Sequence, residues 1–442
     1  MIGPRLNRHD DTLAATHDST PVSLSDAFWF WLKLGFISFG GPAGQIAIMH
    51  RELVEKRSWI SEQAFLHALN YCMLLPGPEA QQLATYIGLR LHRTAGGLMA
   101  GLLFILPSLI MLMALSWVYL AWGHWPLVKS ILWAIKPVVV AIVVQAIFRI
   151  GARTLRRPVL WGIALAAFIG ITWAKLPFPL ILLLAAGAGW LSARGAGQLA
   201  DTTEKTATPS DETRLRSSRS QALRVLIVGA VLWALPMLLL ATLLGHAHLF
   251  TQMAWFFTKS ALVTFGGAYA VLPYVQQAAV GQYGWLTGAQ MIDGLALGET
   301  TPGPLIMVVA FVGFVGGHTL APFGAEHALA AAIGAALVVT YFTFLPSFIF
   351  IFAGAPMVEA SHRQPALAAP LAGITAAVVG VIGHLALVFG AQVFLPQGAG
   401  PDWAAACVFV LALSALIPAR RGVVEVIALA ALAGALMGWA QG

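Results

Sequence analysis

Thirteen apolar stretches follow one another along this chain of 442 residues, at about 24–49, 60–91, 95–122, 126–150, 157–174, 177–192, 223–244, 251–276, 287–317, 326–354, 365–391, 401–418 and 421–440. Most approach or exceed the roughly 20 residues a helix needs to cross a bilayer. In hydrocarbon every backbone N–H and C=O must be satisfied internally, so stretches of this length and number point to membrane helices. Composition excludes the alternative: 59% of residues are hydrophobic and 10% are charged, less than half the charge of a soluble domain. The expected class is an all-α polytopic membrane protein.

The balance of 25 Lys and Arg against 18 Asp and Glu reads as cytoplasmic loops, so the bilayer is the expected partner and nucleic acid is not. Cys72 and Cys407 both lie in apolar stretches, which leaves no disulfide framework, zinc ligand set or redox motif, and no metal or cofactor is expected. Residues 1–23 have no apolar core and are read as a cytoplasmic N-terminal segment, not a cleavable signal peptide. Residues 193–222 turn to Gly, Thr, Ser, Asp, Glu and Arg, a composition that reads as a flexible cytoplasmic linker. The chain thus divides into a first unit at 24–192 and a second at 223–442, the latter opening with a connecting helix.

The two units repeat. Adding 226 to the residue number carries Lys33 to Lys259, Phe39 to Phe265, Gly40-Gly41 to Gly266-Gly267, Trp59 to Trp285, and Pro76-Gly77-Pro78 to Pro302-Gly303-Pro304 without a gap. Farther on, Leu106-Pro107-Ser108 matches Leu345-Pro346-Ser347 at an offset of 239, which places an insertion near Gly317 to His327. Internal duplication of this kind is common in secondary transporters. Basic clusters at Arg51/Lys56/Arg57, Arg90/Arg93 and Arg149/Arg153/Arg156/Arg157 have no basic counterparts near 277–283 and 316–327. By the positive-inside rule the halves are therefore expected in inverted topology, with broken helices or re-entrant hairpins at 24–57 and 60–91. That puts the N-terminus, the linker, His362/Arg363 and Arg420/Arg421 inside and the C-terminus outside; full crossings in place of hairpins remain an alternative.

The breaks carry the chemistry. Proline has no amide to donate and blocks helix continuation, so Gly40-Gly41-Pro42, Pro76-Gly77-Pro78, Gly266-Gly267 and Pro302-Gly303-Pro304 should each end one half-helix and start another. The first amides of the new half-helix are unpaired and carry partial positive charge, which suits an anion. Lys33 and Lys259 lie seven residues before their double glycines, about 10 Å along a helix, and a duplicated ammonium in hydrocarbon suggests function; snorkelling to an interface is the alternative. Ser38 and Thr264 are equivalent hydroxyls that could donate or could bond back to the preceding turn. Gln45, Gln81, Gln82 and Asn70 could donate to an oxyanion or glue helices together. Glu79, Glu299 and Asp293 are candidates for proton coupling, although a carboxylate just inside a helix, as Glu79 is, can be a simple cap. Lys136, before Pro137, is an unduplicated and weaker candidate, and Lys129 reads as snorkelling to the outer interface. Neither GxxxxGK[ST] nor HExxH nor GxSxG occurs, so a P-loop pump and the commonest hydrolase motifs are out.

With KLGFISFGGPAGQIAIMHRE, RSWISEQAF and LLPGPEAQQLATYIG in the first half, and KSALVTFGGAYAVLPYV and GWLTGAQMIDGLALGETTPGP in the second, the chain resembles the chromate ion transporter family in its long two-domain form. The resemblance runs from about Leu24 to Trp439. It implies export of chromate from the bacterial cytoplasm across the inner membrane, with sulfate as the chemically similar anion and a homodimer left open. The matching positions are Lys33, Gly40, Gly41, Pro42, Pro76, Gly77, Pro78, Glu79 and Gln82, with Lys259, Gly266, Gly267, Pro302, Gly303 and Pro304; the second half departs at Ala268 and Leu305, where the first has Pro42 and Glu79.

Three rivals stand beside the chromate carrier: a sulfate or other divalent-oxyanion carrier, a channel, and a membrane enzyme using His67, Asp293 and Glu299, for which no nucleophile or metal spacing exists. If Lys33 supplies the counter-charge, Lys33→Gln abolishes chromate resistance while membrane levels of the protein stay unchanged; undiminished resistance would count against that role.

Overall fold

The computed structural model describes residues 22–39, 41–195, 209–360, 368–396 and 400–441. Gly40, His362 and Arg363 lie outside them. The described part is all helical: α1 (Leu24–Ile37), α2 (Gly41–His50) running into a π-helical turn Arg51–Lys56, α3 (Glu62–Cys72), α4 (Glu79–Trp122), α5 (Pro126–Thr154), α6 (Pro158–Thr172), α7 (Phe178–Gly195) and α8 (Pro209–Leu243). The second half follows with α9 (Leu249–Leu262), α10 (Ala268–Gln276) and its π-helical turn Gln277–Gln282, α11 (Gly288–Thr300), α12 (Val308–Leu320), α13 (Ala328–Ala360), α14 (Ala368–Phe394), α15 (Trp403–Leu416) and α16 (Val423–Gln441).

Helix for helix, the halves repeat, down to matching π-helical turns. The caps repeat as well: Ser61 accepts from the Ala64 amide at the start of α3, and its counterpart Thr287 forms a full capping box with Gln290 at the start of α11. α8 has no mate. It begins at Pro209, inside the segment read as linker, because Glu, Arg, Leu, Gln and Ala there favour helix over coil.

α4 is not a straight rod. His92 (φ −139°) and Arg93 (φ +52°) leave helical geometry, and Gly88 packs against Gly96 while Gly97 and Gly101 pack against Thr85. Those pairings require the chain to double back, so 79–91 is a half-helix antiparallel to 94–122. In the second half the same hairpin is made by α12 and α13, with Gly313 against Ala335 and Gly317 against Ala331. There the turn is the longer connection 321–327, which accounts for the expected insertion.

Small residues let the remaining helices approach closely, as in membrane bundles generally. α6 runs parallel to α14, with Gly380 against Ala164 and His384 bonded to Thr172. α7 runs antiparallel to α14 through Gly189 and Gly373. Correspondingly, α5 runs parallel to α15, pinned by Trp133 Nε1 donating to Asp402 (2.9 Å) and Gln145 Nε2 donating to the Leu416 carbonyl (2.9 Å), and antiparallel to α16 through Gly434 and Gly438. Each of these contacts has a mate in which the halves exchange roles.

Six helical segments among the described residues are long and apolar enough to cross a bilayer, and Leu183, Leu235, Leu411, Leu432 and Leu436 project outward from the bundle, as lipid-facing residues do. The chain is a multi-pass membrane protein. By contrast α1, α2, α3, α9, α10 and α11 have 14, 10, 11, 14, 9 and 13 residues, too few to span singly. They are the pieces that surround the breaks.

A methyl group at Gly380 would overlap the Ala164 carbonyl oxygen, whereas one at Gly162 would meet nothing within 4 Å. Gly380→Ala is therefore expected to destabilise the detergent-purified protein by about 1–3 kcal/mol, read as a lowered melting temperature, and Gly162→Ala to leave it unchanged.

Candidate functional site

The four breaks meet at one place and pair across the halves. The Gly77 amide donates to the Thr264 carbonyl (2.7 Å), and its repeat mate, the Gly303 amide, donates to the Ser38 carbonyl (2.8 Å). Each PGP turn is thus tied to the other half's FGG break. Gly77 has φ +130° and Gly303 φ +104°, conformations that L side chains rarely adopt. Space is as tight as the backbone is unusual: a side chain on Gly77 would overlap Ser347 Oγ, and one on Gly303 would meet Ser108 Cβ at 2.7 Å. The glycines let the crossing form, and the serines of the two LPS motifs close over it.

The expected amides are in part engaged. Two of them make the crossing, but the half-helices that start here, α4 after Pro78 and α10 after Gly267, have no side-chain cap, so their opening amides keep the positive character of a free N-terminus. Gly267 faces Pro42, which brings the two FGG breaks together. Ser38 and Thr264 are fully buried, but their hydroxyls donate back to the Leu34 (2.7 Å) and Ser260 (2.6 Å) carbonyls. Their carbonyls, rather than their hydroxyls, serve the crossing.

Gln45 Nε2 donates to the carbonyls of Gly303 and Ser38, and Gln82 Nε2 to that of Pro76 (2.8 Å). The other amide atoms of Gln45, Gln81 and Gln82 are buried without a partner, as are the hydroxyls of Ser108 and Ser347. A buried polar group left unsatisfied costs about 1–3 kcal/mol, so this concentration needs a ligand or water to complete it. Sequence reasoning missed Ser108 and Ser347 as functional residues, although the LPS repeat that would have found them was in plain view.

The charged candidates are placed differently. Lys33 is exposed on α1, and Lys259 is half-buried with its ammonium 5.8 Å from the Trp255 ring; neither is enclosed at the crossing. Pro302 and Pro304 are buried with Gly303, while Pro42, Pro76, Gly41 and Gly266 are half-buried. Glu299 is buried at the end of α11 and accepts from the Tyr269 hydroxyl at 2.5 Å, with Arg149 acting on it through space. Half-buried Glu79 has Arg153 in the same relation. Asp293 is buried elsewhere on α11, 3.3 Å from the Lys136 ammonium, and accepts from the Tyr119 hydroxyl.

The repeats occupy unlike surroundings. Leu66 is 46% exposed but its mate Ile292 1%, and Met73 is 53% exposed but its mate Glu299 7%. The second half's α10 and α11 are packed against α5 and α14, whereas α2 and α3 form a separate cluster with α1 and the start of α4.

A family model for chromate transporters matches residues 25–190 and 251–439, once in each half. The chain belongs to the chromate transporter family. It is 34% identical to a chromate transport protein of Pseudomonas aeruginosa, over 82% of this chain and 80% of that protein. A chromate transport protein of Cupriavidus metallidurans is 29% identical over 84% of each chain. The uncharacterized transporter YwrB of Bacillus subtilis aligns with only 28% of this chain at 29% identity. No solved structure matches the chain. The family is one of transporters, not of enzymes.

Gly77→Ala and Gly303→Ala meet both backbone strain and a filled space, and each is expected to destabilise the protein by about 2–4 kcal/mol. Gly41→Ala, with φ +70° but nothing within 4 Å, meets the strain alone and should cost less; melting curves of the three variants separate the two terms.

Proposed function

We propose that this protein exports a tetrahedral divalent oxyanion of the chromate class across the bacterial inner membrane. The observation that carries the reading is the reciprocal crossing, because it brings the unpartnered hydroxyls of Ser108 and Ser347 and the uncapped starts of α4 and α10 to the meeting point of the two halves. The anion is held by the opening amides of α4 and α10 and by the hydroxyls of Ser108 and Ser347, while Gln45 and Gln82 give their amide N–H groups to the carbonyls of Gly303, Ser38 and Pro76 that shape the turn. The backbone of Gly41-Pro42, Pro76-Gly77-Pro78, Gly266-Gly267 and Pro302-Gly303-Pro304 forms the walls. Lys33 and Lys259 raise the local potential along the approach rather than touching the ion.

The halves are inverted with respect to each other, a reading supported by the packing directions: α5 runs with α15 and α6 with α14, although α5 pairs in the repeat with α14 and α6 with α15. The basic turn of α4 at Arg90 and Arg93 and the basic end of α5 then face the cytoplasm together with the N-terminus, and the C-terminus is periplasmic. An inside-negative potential favours exit of the anion by about 2.3 kcal/mol per charge at 100 mV, so export is downhill without further coupling. Glu79 and Glu299, on which Arg153 and Arg149 of α5 act through space, are the residues through which a proton would couple.

Sulfate shares the charge and shape of chromate, and it is the second reading. Everted membrane vesicles loaded by uptake of radiolabelled chromate test both, with sulfate as competitor and an uncoupler to expose any proton requirement. Ser108→Ala and Ser347→Ala each remove one hydrogen bond to a charged ligand, and the KM for chromate should rise about 10- to 100-fold. Vesicles that move sulfate and ignore chromate would favour the second reading; vesicles that move neither would overturn both.

A further inference from the structure

A cavity of about 350 Å³ lies between α4 and α5, lined by Tyr119, Lys129, Trp133, Lys136 and Asp293, a size usual for small-molecule sites. At its base Lys136 Nζ stands 3.3 Å from Asp293 Oδ1, and Tyr119 donates to Asp293 Oδ2 at 3.1 Å. Asp293 is 3% exposed, while Lys129 and Lys136 reach the open space. We propose that Lys136 is a second oxyanion subsite, where the transported dianion and the Asp293 carboxylate take turns as counter-ion.

Three observations converge on it. First, the cavity holds two ammonium groups against one carboxylate, so displacing that carboxylate leaves a doubly cationic chamber matched to a dianion. Second, the pair is built once in a duplicated fold: the mates of Lys136 and Asp293 are Thr375 and His67, which cannot form it. A buried ion pair is weak evidence for stability, and here one repeat assembles without it. Third, Asp293 sits seven residues before Thr300 at the end of α11, about 10 Å of helix rise from the PGP turn, so the cavity lies one helix segment away from the crossing.

In the resting arrangement Asp293 fills the cationic place and keeps it from standing empty in a poorly hydrated region. When the anion arrives, Lys136 swings from Asp293 to the ion and Tyr119 keeps the released carboxylate hydrogen-bonded. When the ion leaves, the pair closes again. Because α11 is docked on α5 at this point, exchange of partners also loosens the second half's broken-helix unit from the bundle.

The inference rests on the oxyanion reading, and the experiment separates the two. Equilibrium binding of radiolabelled chromate and of radiolabelled sulfate is measured on the purified full-length protein, with flux from vesicles alongside. Asp293→Asn leaves Lys136 without its internal competitor: binding of the transported anion should tighten about tenfold and turnover should fall, since release is slowed. Lys136→Met should raise KM at least tenfold, with Lys136→Arg retaining function. The exchanged pair Lys136→Asp with Asp293→Lys preserves an ion pair and is expected to fold, with an unchanged melting temperature, yet not to transport. Unaltered affinity in Asp293→Asn, or wild-type flux in the exchanged pair, would overturn the proposal and leave the pair structural. If the wild-type protein binds and moves neither anion, the oxyanion reading itself falls.

Discussion

A broken helix in a membrane leaves amides and carbonyls that hydrocarbon cannot satisfy, and the arrangement of this protein follows from how that cost is met. Each PGP turn gives its central amide to a carbonyl in the other half, Gly77 to Thr264 and Gly303 to Ser38. Neither half can complete its own breaks. The duplication is therefore a structural requirement as well as a relic of descent: the FGG break of one copy exists to receive the PGP turn of the other. Ser108 and Ser347 complete the same exchange, because the space each one fills is created by a glycine of the opposite half.

A crossing with matched partners does not force matched surroundings. The second half's breaks are sealed against α5 and α14, with Glu299 buried beneath Tyr269, while the residues at the corresponding places in the first half, Met73 and Ala43, stand exposed. The divergence is written in side chains. A carboxylate and a tyrosine that bond one another give α11 and α10 a reason to close together, and Met73 and Ala43 offer no such bond. One copy is thus adapted to packing against the bundle and the other to standing free of it.

Much of this was legible in the sequence. The offset of 226 predicts the pairing of α1 with α9, α2 with α10 and α3 with α11, and the turn at Arg93 falls within the basic cluster Arg90/Arg93. Glycine and proline identified the breaks because their backbone chemistry is local. What pairs with what across the halves is not local: nothing in the spacing of Ser38 and Gly303 says that one accepts from the other, and the periodicity of α4 does not reveal that it doubles back at His92. Lys33 illustrates the limit from the other side. Duplication and an apolar context made it look central, but the face of α1 that is buried carries Ala27, Phe30, Trp31 and Leu34, and a helix can bury only one face against its neighbour. Ser38 and Thr264 show the same: both are at the crossing, but their hydroxyls bond back to the preceding turn, as short hydroxyl side chains in helices tend to do.

The sign of the ion follows from where negative charge is neutralised. Three carboxylates lie near the crossing or on the helix leading to it, and a site surrounded by unpaired carboxylates would select cations. Two are answered locally, Asp293 by Lys136 and Tyr119 and Glu299 by Tyr269, while Glu79, in the first turn of α4, has Arg153 acting on it only through space. On the proposed reading the field at the crossing is then set by the uncapped N-termini of α4 and α10, and Glu79 in the first turn of α4 is the carboxylate whose charge Arg153 or a bound proton offsets. Partial positive charge from a helix start is felt within its first turn, which confines the favourable region to the breaks themselves. A dianion placed there would gain roughly twice what a monoanion does and a cation would be repelled, so the proposed reading puts the selectivity for charge in the backbone. On the proposed reading, Ser108 and Ser347 are left to distinguish among anions of one charge.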